Sequence, residues 1–343
     1  MGQAISRTNT WDNDLRTTVL AWYSANAREF LWRERQDISR KGNSPPEPYL
    51  VLVSETMLQQ TQTSRVQEKL PAFLRQFPTL SVLAAASNAE IITAWEGMGY
   101  NSRALRLRDC AKAIIERYSG KIPPTIEELR SLPGIGPYTA SAIAAFAFHS
   151  DVAVVDVNIR RVYSRLLRAM PTTADVLPEA ELTAFAERTF PRGQSSAWHQ
   201  AIMDIGAMFC TARAPKCALC PVRKLCASAN NMAEAVRTKK AEPSFDGIPN
   251  RIWRGRVVQL LRKVPMNTWS DSTTLYNQLF SASLFTTTER EQWFSRLLQG
   301  LERDAIVEIT HGRQRASSSD NEPHTSTEEI STEQYSVFVR LAS

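Results

Sequence analysis

The sequence predicts an all-α N-terminal domain followed by a small domain of mixed helix and strand. Apolar residues recur at spacings of three and four along the first two thirds of the chain, with few strand-like alternations. This periodicity fades between Asn230 and Pro249, in the stretch "NNMAEAVRTKKAEPSFDGIP". Two short strand-like runs, "AIVEI" and "YSVFVRL", follow later in the chain. With 343 residues the chain is long enough to form two domains.

The apolar spacing also defines the individual helices of the N-terminal domain. They are predicted at residues 15–27, 48–61, 80–86, 102–118 and 179–190. We therefore predict a helical domain over residues 1–229 and a linker over residues 230–250.

Beyond this linker, the pattern predicts three helices and a two-stranded wing, which together form a small winged-helix-like domain over residues 251–343. The helices are placed at 253–263, after Ser270, and at 288–302. The insert at 313–334 is rich in serine and acidic residues, so it is too polar to pack and is predicted to be disordered. Basic residues cluster on or near the first of these helices, where we expect phosphate contacts: Arg251, Arg254, Arg256, Arg262 and Lys263.

The charge of the chain is positive and unevenly distributed. The formal net charge is +6; the insert has two arginines and five acidic residues, so it carries −3 and the remainder carries +9. A positive remainder favours a polyanionic partner, although a solvated basic surface is also common. No run of eighteen apolar residues is present, so a membrane span is not expected.

Four of the five cysteines lie in the stretch "CTARAPKCALCPVRKLC", as Cys210, Cys217, Cys220 and Cys226. Disulfides are disfavoured because the N-terminus lacks the charged and apolar pattern of a secretory signal. Zinc is an alternative, but structural zinc usually pairs two C-x2-C knuckles across a longer gap. A [4Fe–4S] cluster takes one thiolate per iron and suits a short irregular loop, so we favour it. The arginines and lysines between the ligands would then form a basic clamp for phosphates.

The stretch "TIEELRSLPGIGPYTASAIAAFA" predicts two helices joined by a tight turn. Thr125 and Glu128 have the spacing of a capping box, which starts a short helix that stops at Pro133. Gly134 and Gly136 permit a hairpin with exposed backbone N–H groups, and the next helix packs through its alanines. Such a unit directs backbone donors at a phosphate without reading the base sequence.

Four further motifs accompany this hairpin and the cysteine spacing in the same order as in a known family. They are "SETMLQQTQT" at 54–63, "EGMGYNSRA" at 96–104, "VVDVNIRRV" at 154–162 and "QAIMDIGAMFC" at 200–210. From about residue 11 to residue 229 the chain resembles the helix-hairpin-helix DNA glycosylases with an iron–sulfur loop, and within them the adenine DNA glycosylases of the MutY type. The resemblance implies a monomeric, cytoplasmic, nucleoid-associated base excision repair enzyme with a [4Fe–4S] cluster. Its substrate would be double-stranded DNA with adenine mispaired with guanine or 8-oxoguanine.

Two carboxylates fit the chemistry of such an enzyme. Loss of a purine leaves an oxocarbenium-like sugar, so the reaction needs an acid for the base and an anion for the cation. Glu55 lies in an apolar and amide-rich helix, where burial would raise its pKa. Asp156 starts a helix beside Asn158, which favours its ionised form. The non-catalytic alternatives are that Glu55 is an exposed helix residue and that Asp156 only caps a helix. The resemblance assigns the role of the acid to Glu55 and that of the anion to Asp156.

Tyr138 bears on whether the enzyme also cuts the DNA strand. Members of the superfamily with lyase activity have a lysine just after "LPGxGx", whose amine forms a Schiff base with the sugar. The chain has Tyr138 there, so it resembles the monofunctional branch. The phenol would position Asp156 or the water, or it simply packs beneath the hairpin.

The remaining site residues rest on the same resemblance. Gln60 matches the wedge that fills the gap left by an extruded base, with Gln59 and Thr61 beside it. Trp32, Arg33 and Gln200 match residues that contact the adenine, against the alternatives of a core tryptophan and a surface arginine. Neither His149 nor His199 is assigned a role, and Cys110 is expected in the core.

Two other functions stay open from the sequence. A mismatch thymine glycosylase of the same superfamily also has tyrosine after the hairpin, although "SETMLQQTQ" counts against it. A cluster-bearing mismatch-binding protein without activity is favoured by the winged-helix-like domain but disfavoured by the presence of both Glu55 and Asp156. The C-terminal residues lack the histidine-containing loop with which many relatives recognise the base opposite adenine. The sequence therefore does not decide whether guanine or 8-oxoguanine is the preferred opposite base.

Overall fold

The computed structural model describes residues 9–33, 48–170, 172, 174–229, 231–233, 242–280, 287–313 and 335–342. These residues form mainly α-helices, which are α1 Asn9–Asn26, α2 Pro48–Leu58, α3 Thr63–Gln76, α4 Leu80–Ala85, α5 Asn88–Ala94, α6 Ser102–Tyr118, α7 Ile126–Arg130, α8 Pro137–Phe148, α9 Val157–Leu167, α10 Glu179–Thr189, α11 Ser195–Met208, α12 Asn250–Leu261, α13 Ser272–Leu279 and α14 Thr287–Arg303. The strands are β1 Ser244–Phe245, β2 Ile248–Pro249, β3 Ser270–Asp271, β4 Val307–Arg313 and β5 Tyr335–Leu341. The helix-rich fold predicted from apolar spacing is confirmed.

The helix boundaries differ from the predicted ones by a few residues at most places. The helix predicted at 102–118 has those limits, and the one predicted at 179–190 ends one residue earlier. The helix predicted at 48–61 ends at Leu58, because Gln60 adopts a left-handed backbone with φ 54° that breaks the helix. At the other extreme, α1 begins six residues before the predicted start at residue 15.

The described residues divide into two compact units, which lie within Met1–Ala84 and Asp109–Lys239 and within Ala85–Arg108 and Lys240–Ser343. This division places residues 85–108 with the C-terminal residues, whereas the predicted domain over 1–229 includes them. The linker predicted over 230–250 contains the β1–β2 hairpin and the first residue of α12. The predicted boundaries of the helical domain, the linker and the C-terminal domain are therefore still predictions.

The core of the first unit lies among α1, α9, α10 and α11. Trp198 and Tyr163 are fully buried there, and the Trp198 Nε1–H donates to the Tyr163 hydroxyl at 2.9 Å. Phe185 of α10 meets Tyr163 edge-on at 4.8 Å between ring centroids. On another side of this unit, α2 packs against α8, whose alanines allow close approach. This packing brings two parts of the candidate site together.

The second unit joins helices α12, α13 and α14 to an antiparallel sheet of order β3-β5-β4. This is the predicted winged-helix-like arrangement with one additional strand, β3, which is only two residues long. Its aromatic core includes Phe245 stacked on Trp293 at 4.3 Å and Trp253 against Phe280 at 5.0 Å. Arg262 donates to the Ile92 carbonyl at 2.7 Å and thereby holds the 85–108 segment within this unit. The insert predicted to be disordered lies, apart from Arg313, outside the described residues.

Three of the five basic side chains predicted to contact phosphates bind partners within this second unit. Arg251 pairs with Glu242 at 2.9 Å, and Arg254 pairs with Asp304. The Arg262 guanidinium is half-buried, and its contact with a backbone carbonyl directs it inward. Among the described residues, no helix is long and apolar enough to cross a membrane.

Candidate active site

Glu55 and Tyr138 form the centre of the site. Glu55 lies on α2 and is only 6% exposed, so the alternative of an exposed helix residue is wrong. Tyr138 lies in the first turn of α8, and its hydroxyl donates to Oε2 of Glu55 at 3.0 Å. The packing of α2 against α8 therefore places the predicted acid beside the tyrosine that follows the glycine hairpin.

The environment of Glu55 favours its protonated form. The pKa of Glu55 is raised from 4.5 to about 7, mainly because the carboxyl is buried and in smaller part because the Asp156 carboxylate is near. The hydrogen bond from Tyr138 and the positive charge of Arg33 act in the opposite direction. A carboxyl group with a pKa near neutrality can donate a proton at physiological pH.

Asp156 is the N-cap of α9. Its Oδ1 accepts from the backbone N–H of Ile159 at 2.6 Å, and its Oδ2 accepts from the side chain of Asn158 at 2.8 Å. The sequence predicted that these partners favour the ionised form. Burial outweighs them, so the pKa of Asp156 is raised, although the hydrogen bonds and the charge of Arg161 lower it in part. The predicted effect of these partners is therefore confirmed, while desolvation, which the sequence did not reveal, acts in the opposite direction and is larger.

Asn158 connects this carboxylate to the cysteine-rich loop. Its Oδ1 accepts from Arg161 Nη2 at 2.9 Å, while Arg161 Nε donates to the Cys210 carbonyl at 2.6 Å. The same guanidinium also donates to the Gly206 carbonyl at 2.9 Å. One arginine of α9 thus fixes both the side chain beside Asp156 and the start of the loop.

The side chains predicted to contact adenine are all engaged within the protein. Arg33 forms a two-pronged ion pair with Asp204, with Nη1–Oδ2 at 2.8 Å and Nη2–Oδ1 at 2.9 Å. Trp32 is buried and stacks on Phe30 at 4.8 Å. Gln200 accepts from the Tyr23 hydroxyl at 2.8 Å and donates to the Ser196 hydroxyl at 3.1 Å. The positive charge of Arg33 also lowers the pKa of Glu55.

Asp204 is a residue that sequence reasoning missed. Its side chain is fully buried and pairs with Arg28 at 2.6 Å as well as with Arg33. Burial raises its pKa, but the two arginines lower it overall, so Asp204 holds a negative charge beneath the Arg33 guanidinium. The available signal was a lone acidic residue four positions after Gln200 in an apolar helix, which places both on one helix face.

The glycine hairpin between α7 and α8 has the predicted form. Thr125 caps α7 by accepting from the Glu128 N–H at 3.3 Å, which is one of the two hydrogen bonds of the predicted capping box, and its hydroxyl donates to the Glu128 carboxylate at 2.6 Å. Gly134 has φ 77°, which other residues rarely adopt, and Gly136 is the exposed N-cap of α8 with no side-chain hydrogen bond to it. The exposed N–H groups at this turn and at the start of α8 can bind a phosphate.

The residues after α2 surround the predicted wedge. Gln60 is exposed, has a left-handed backbone, and lies two residues after the end of α2. Gln59 donates to the Thr139 hydroxyl at 3.4 Å, and the Thr61 hydroxyl donates to the Gln59 carbonyl at 3.4 Å.

The four predicted ligand cysteines line one cavity, together with Val162 and Arg165 of α9. Arg165 is fully buried, and its Nη1 lies 3.3 Å from the Cys210 sulfur. Burial and the other three cysteines raise the pKa of the Cys220 thiol to about 12, with one opposing backbone hydrogen bond. Four crowded thiols around a cavity fit a group that is larger than one ion and that supplies positive charge. No set of three metal-ligating side chains within the described ranges is arranged around a single ion.

Comparisons with known proteins agree with this geometry. The family described as "HhH-GPD superfamily base excision DNA repair protein" matches residues 53–186. An adenine DNA glycosylase of Mycobacterium tuberculosis is 34% identical over 296 residues, which cover 86% of this chain and 90% of that protein. This match is longer than residues 1–229, so it extends into the C-terminal residues, beyond the predicted limit of the resemblance. The human adenine DNA glycosylase is 38% identical over 216 residues, or 62% of this chain and 38% of that protein.

Solved structures show the same fold. A thermostable thymine-DNA glycosylase is 26% identical with a TM-score of 0.56, covering 64% of this chain and 97% of that one. Endonuclease III in a non-covalent complex with DNA has a TM-score of 0.53 at 21% identity, covering 64% of this chain and 96% of that one, which supports the fold alone. Because one relative is matched over nine tenths of its length and the hairpin and carboxylates lie within the matched family region, the chain belongs to the adenine DNA glycosylases of the HhH-GPD base excision repair superfamily.

Proposed function

We propose that this glycosylase removes adenine that is mispaired with guanine or 8-oxoguanine in double-stranded DNA, acting as a monomer. The observation that carries the proposal is the buried Glu55, whose pKa of about 7 and hydrogen bond to Tyr138 suit a general acid. Asp156 lies close enough to raise that pKa, so a sugar between the two would meet an acid and an anion.

In the proposed mechanism, Glu55 protonates N7 of the extruded adenine. The bond between N9 and C1′ then breaks, its electron pair leaves with the base, and positive charge develops on the sugar. Asp156, fixed by Ile159 and Asn158, stabilises or captures this cation until water adds to C1′ and gives up a proton to the Glu55 carboxylate. Tyr138 has no amine and cannot form an imine, so the enzyme acts as a glycosylase without strong lyase activity.

Base recognition and DNA binding are assigned to neighbouring residues. Arg33, held by Asp204, and the buried Trp32 and Gln200 are proposed to bound the adenine pocket. Gln60 is the proposed wedge, since it is exposed at a helix end, with Gln59 and Thr61 supporting it. Gly134 and Gly136 are proposed to bind one phosphate through backbone N–H groups.

The cysteine-lined cavity is proposed to hold a [4Fe–4S] cluster through Cys210, Cys217, Cys220 and Cys226. When bound, the cluster supplies a rigid, thiolate-ligated anchor for the loop that carries Arg213, Lys216, Arg223 and Lys224. Arg165 supports this loop through its Nη1, which lies 3.3 Å from the Cys210 sulfur.

A panel of duplexes tests the function. Single-turnover base release, read by alkaline strand cleavage, is measured with adenine opposite 8-oxoguanine, guanine or cytosine, and with thymine opposite guanine. We expect release of adenine from the first two duplexes, and a loss of at least about 100-fold in Glu55→Gln, as for removal of a general acid. Glu116→Gln, the same change at an exposed position of α6, is the matched control and should retain the rate. Release of thymine instead of adenine would refute adenine specificity and favour the function of the thymine-DNA glycosylase whose fold the chain shares.

A further inference from the structure

The segment that leads into Asp156 has no regular secondary structure. Residues 151–156 form neither helix nor strand, so their backbone groups need partners from elsewhere in the protein. Val154, two residues before the catalytic carboxylate, is fully buried, so water cannot serve its N–H group. The position of Asp156 therefore depends on what binds this segment.

His199 of α11 supplies the partner for Val154. The imidazole is fully buried, and its Nε2 accepts from the Val154 N–H at 3.1 Å. Because Nε2 accepts, the ring hydrogen must lie on Nδ1, which is 2.7 Å from the Ser195 carbonyl and donates to it. Burial lowers the pKa of His199 to about 4, with the Ser195 hydrogen bond opposing, so the ring is neutral as this role requires. Phe190 packs on the ring at 5.5 Å and limits its rotation.

A second contact from the same helix acts on the same segment. The Ser195 hydroxyl donates to the Val152 carbonyl at 2.7 Å. Side chains in the first two turns of α11 thus bind the backbone of Val152 and Val154. Asp156 lies two residues further along the same segment. His199 also directly precedes Gln200, the side chain proposed for the adenine pocket.

We propose that His199 is a positioning residue that sets the place of Asp156 relative to α11 and therefore to the bound nucleotide. This inference rests on the proposed function. His199 touches neither base nor sugar, and its effect passes through the Val154 backbone. Displacement of a catalytic group by about 1 Å lowers a rate by up to roughly 100-fold, so a loose segment is expected to slow the reaction more than it weakens DNA binding.

Three variants test the role. His199→Leu removes the acceptor for Val154, His199→Gln restores an acceptor at the reach of Nε2, and Ser195→Ala removes the contact with Val152. Ser164→Ala is the matched control, because the Ser164 hydroxyl also accepts a buried backbone N–H, from Leu177 at 2.9 Å, at a distant part of α9. Single-turnover excision, duplex affinity, thermal unfolding and hydrogen exchange over residues 152–157 are measured for each.

We expect excision by His199→Leu to fall at least about 10-fold with duplex affinity changed less than about threefold, and His199→Gln to lie within about threefold of the wild type. The rate of backbone hydrogen exchange over residues 152–157 should rise in His199→Leu and in Ser195→Ala but not in Ser164→Ala. A rate loss in His199→Leu no larger than that of an equally destabilised Ser164→Ala would overturn the proposal. If His199→Leu does not fold, a wild-type rate and wild-type exchange in Ser195→Ala would overturn it. The exchange readout needs no activity, so it separates failure of this inference from failure of the adenine reaction.

Discussion

The sharpest test of the site is the pH dependence of excision in Tyr138→Phe. In the wild type the Tyr138 hydroxyl donates to Glu55 Oε2 at 3.0 Å and so lowers the pKa of that carboxyl. Phenylalanine keeps the ring but removes the donor. We therefore expect the pKa of Glu55 to rise in Tyr138→Phe, and the alkaline limb of the rate profile to move to higher pH.

The magnitude follows from the pKa of Glu55. With a pKa of about 7, half of the carboxyl groups are protonated at pH 7, whereas an ordinary value of 4.5 would leave about 0.3% protonated. Burial therefore increases the acid form about 150-fold at neutral pH. From pH 7 to pH 8 the protonated fraction falls from about one half to about one tenth, so the wild-type rate should fall about fivefold. Tyr138→Phe should lose less over the same interval.

The assay is the single-turnover rate at saturating enzyme between pH 5.5 and about pH 9, a range that includes the alkaline limb along which the general acid loses its proton. Its shape is compared after scaling each variant to its own maximum, which removes any uniform loss of rate. Tyr118→Phe, which removes a hydroxyl outside the site, should reproduce the wild-type profile. An apparent pKa near 4.5 in the wild type, or a shift to lower pH in Tyr138→Phe, would refute the assignment of Glu55 as the acid.

Three other outcomes follow from the contacts around the site. The free energy of unfolding of Glu55→Gln should exceed that of the wild type by up to about 3 kcal/mol at pH 8 and should equal it near pH 4. The reason is that a carboxyl with a raised pKa favours the folded state only at low pH. Equal denaturant curves for the two proteins at pH 8 would contradict the burial of Glu55. The pKa of His199 is lowered from 6.5 to about 4 in the folded protein, so the free energy of unfolding should fall by up to about 3 kcal/mol as the pH drops through that interval. Urea titrations of His199→Gln should not show this loss. Arg161→Lys keeps the charge but cannot span Asn158 and the Cys210 carbonyl, so both the iron content and the excision rate should fall together; full retention of both would remove the proposed link.

Asp156 shows what the sequence could and could not decide. Its position before a helix predicted either a structural cap or a catalytic anion, and the structure shows that these are compatible. Oδ1 serves the cap through Ile159, while Oδ2 faces Asn158. Local spacing predicted the cap, but the rise in pKa depends on burial by residues distant in the sequence.

Long-range contacts account for what the sequence did not reveal. Arg33 meets Asp204 across 171 positions of the chain, and no local pattern reports such a pair. Strand β3 is two residues long and therefore too short for an alternation to be visible. By contrast, the helix at 102–118 and the capped start of α7 follow from local spacing, and both were predicted at the observed residues.

The pairing of Tyr138 with Glu55 bears on how strand-cutting and base-releasing enzymes diverge. A lysine at position 138 would place an ammonium group beside Glu55, and the opposite charge would lower the pKa of the carboxyl until the acid is lost at neutral pH. The carboxylate would in turn keep the lysine protonated and therefore a poor nucleophile. A lysine at this position is therefore expected to oppose protonation of the base by Glu55.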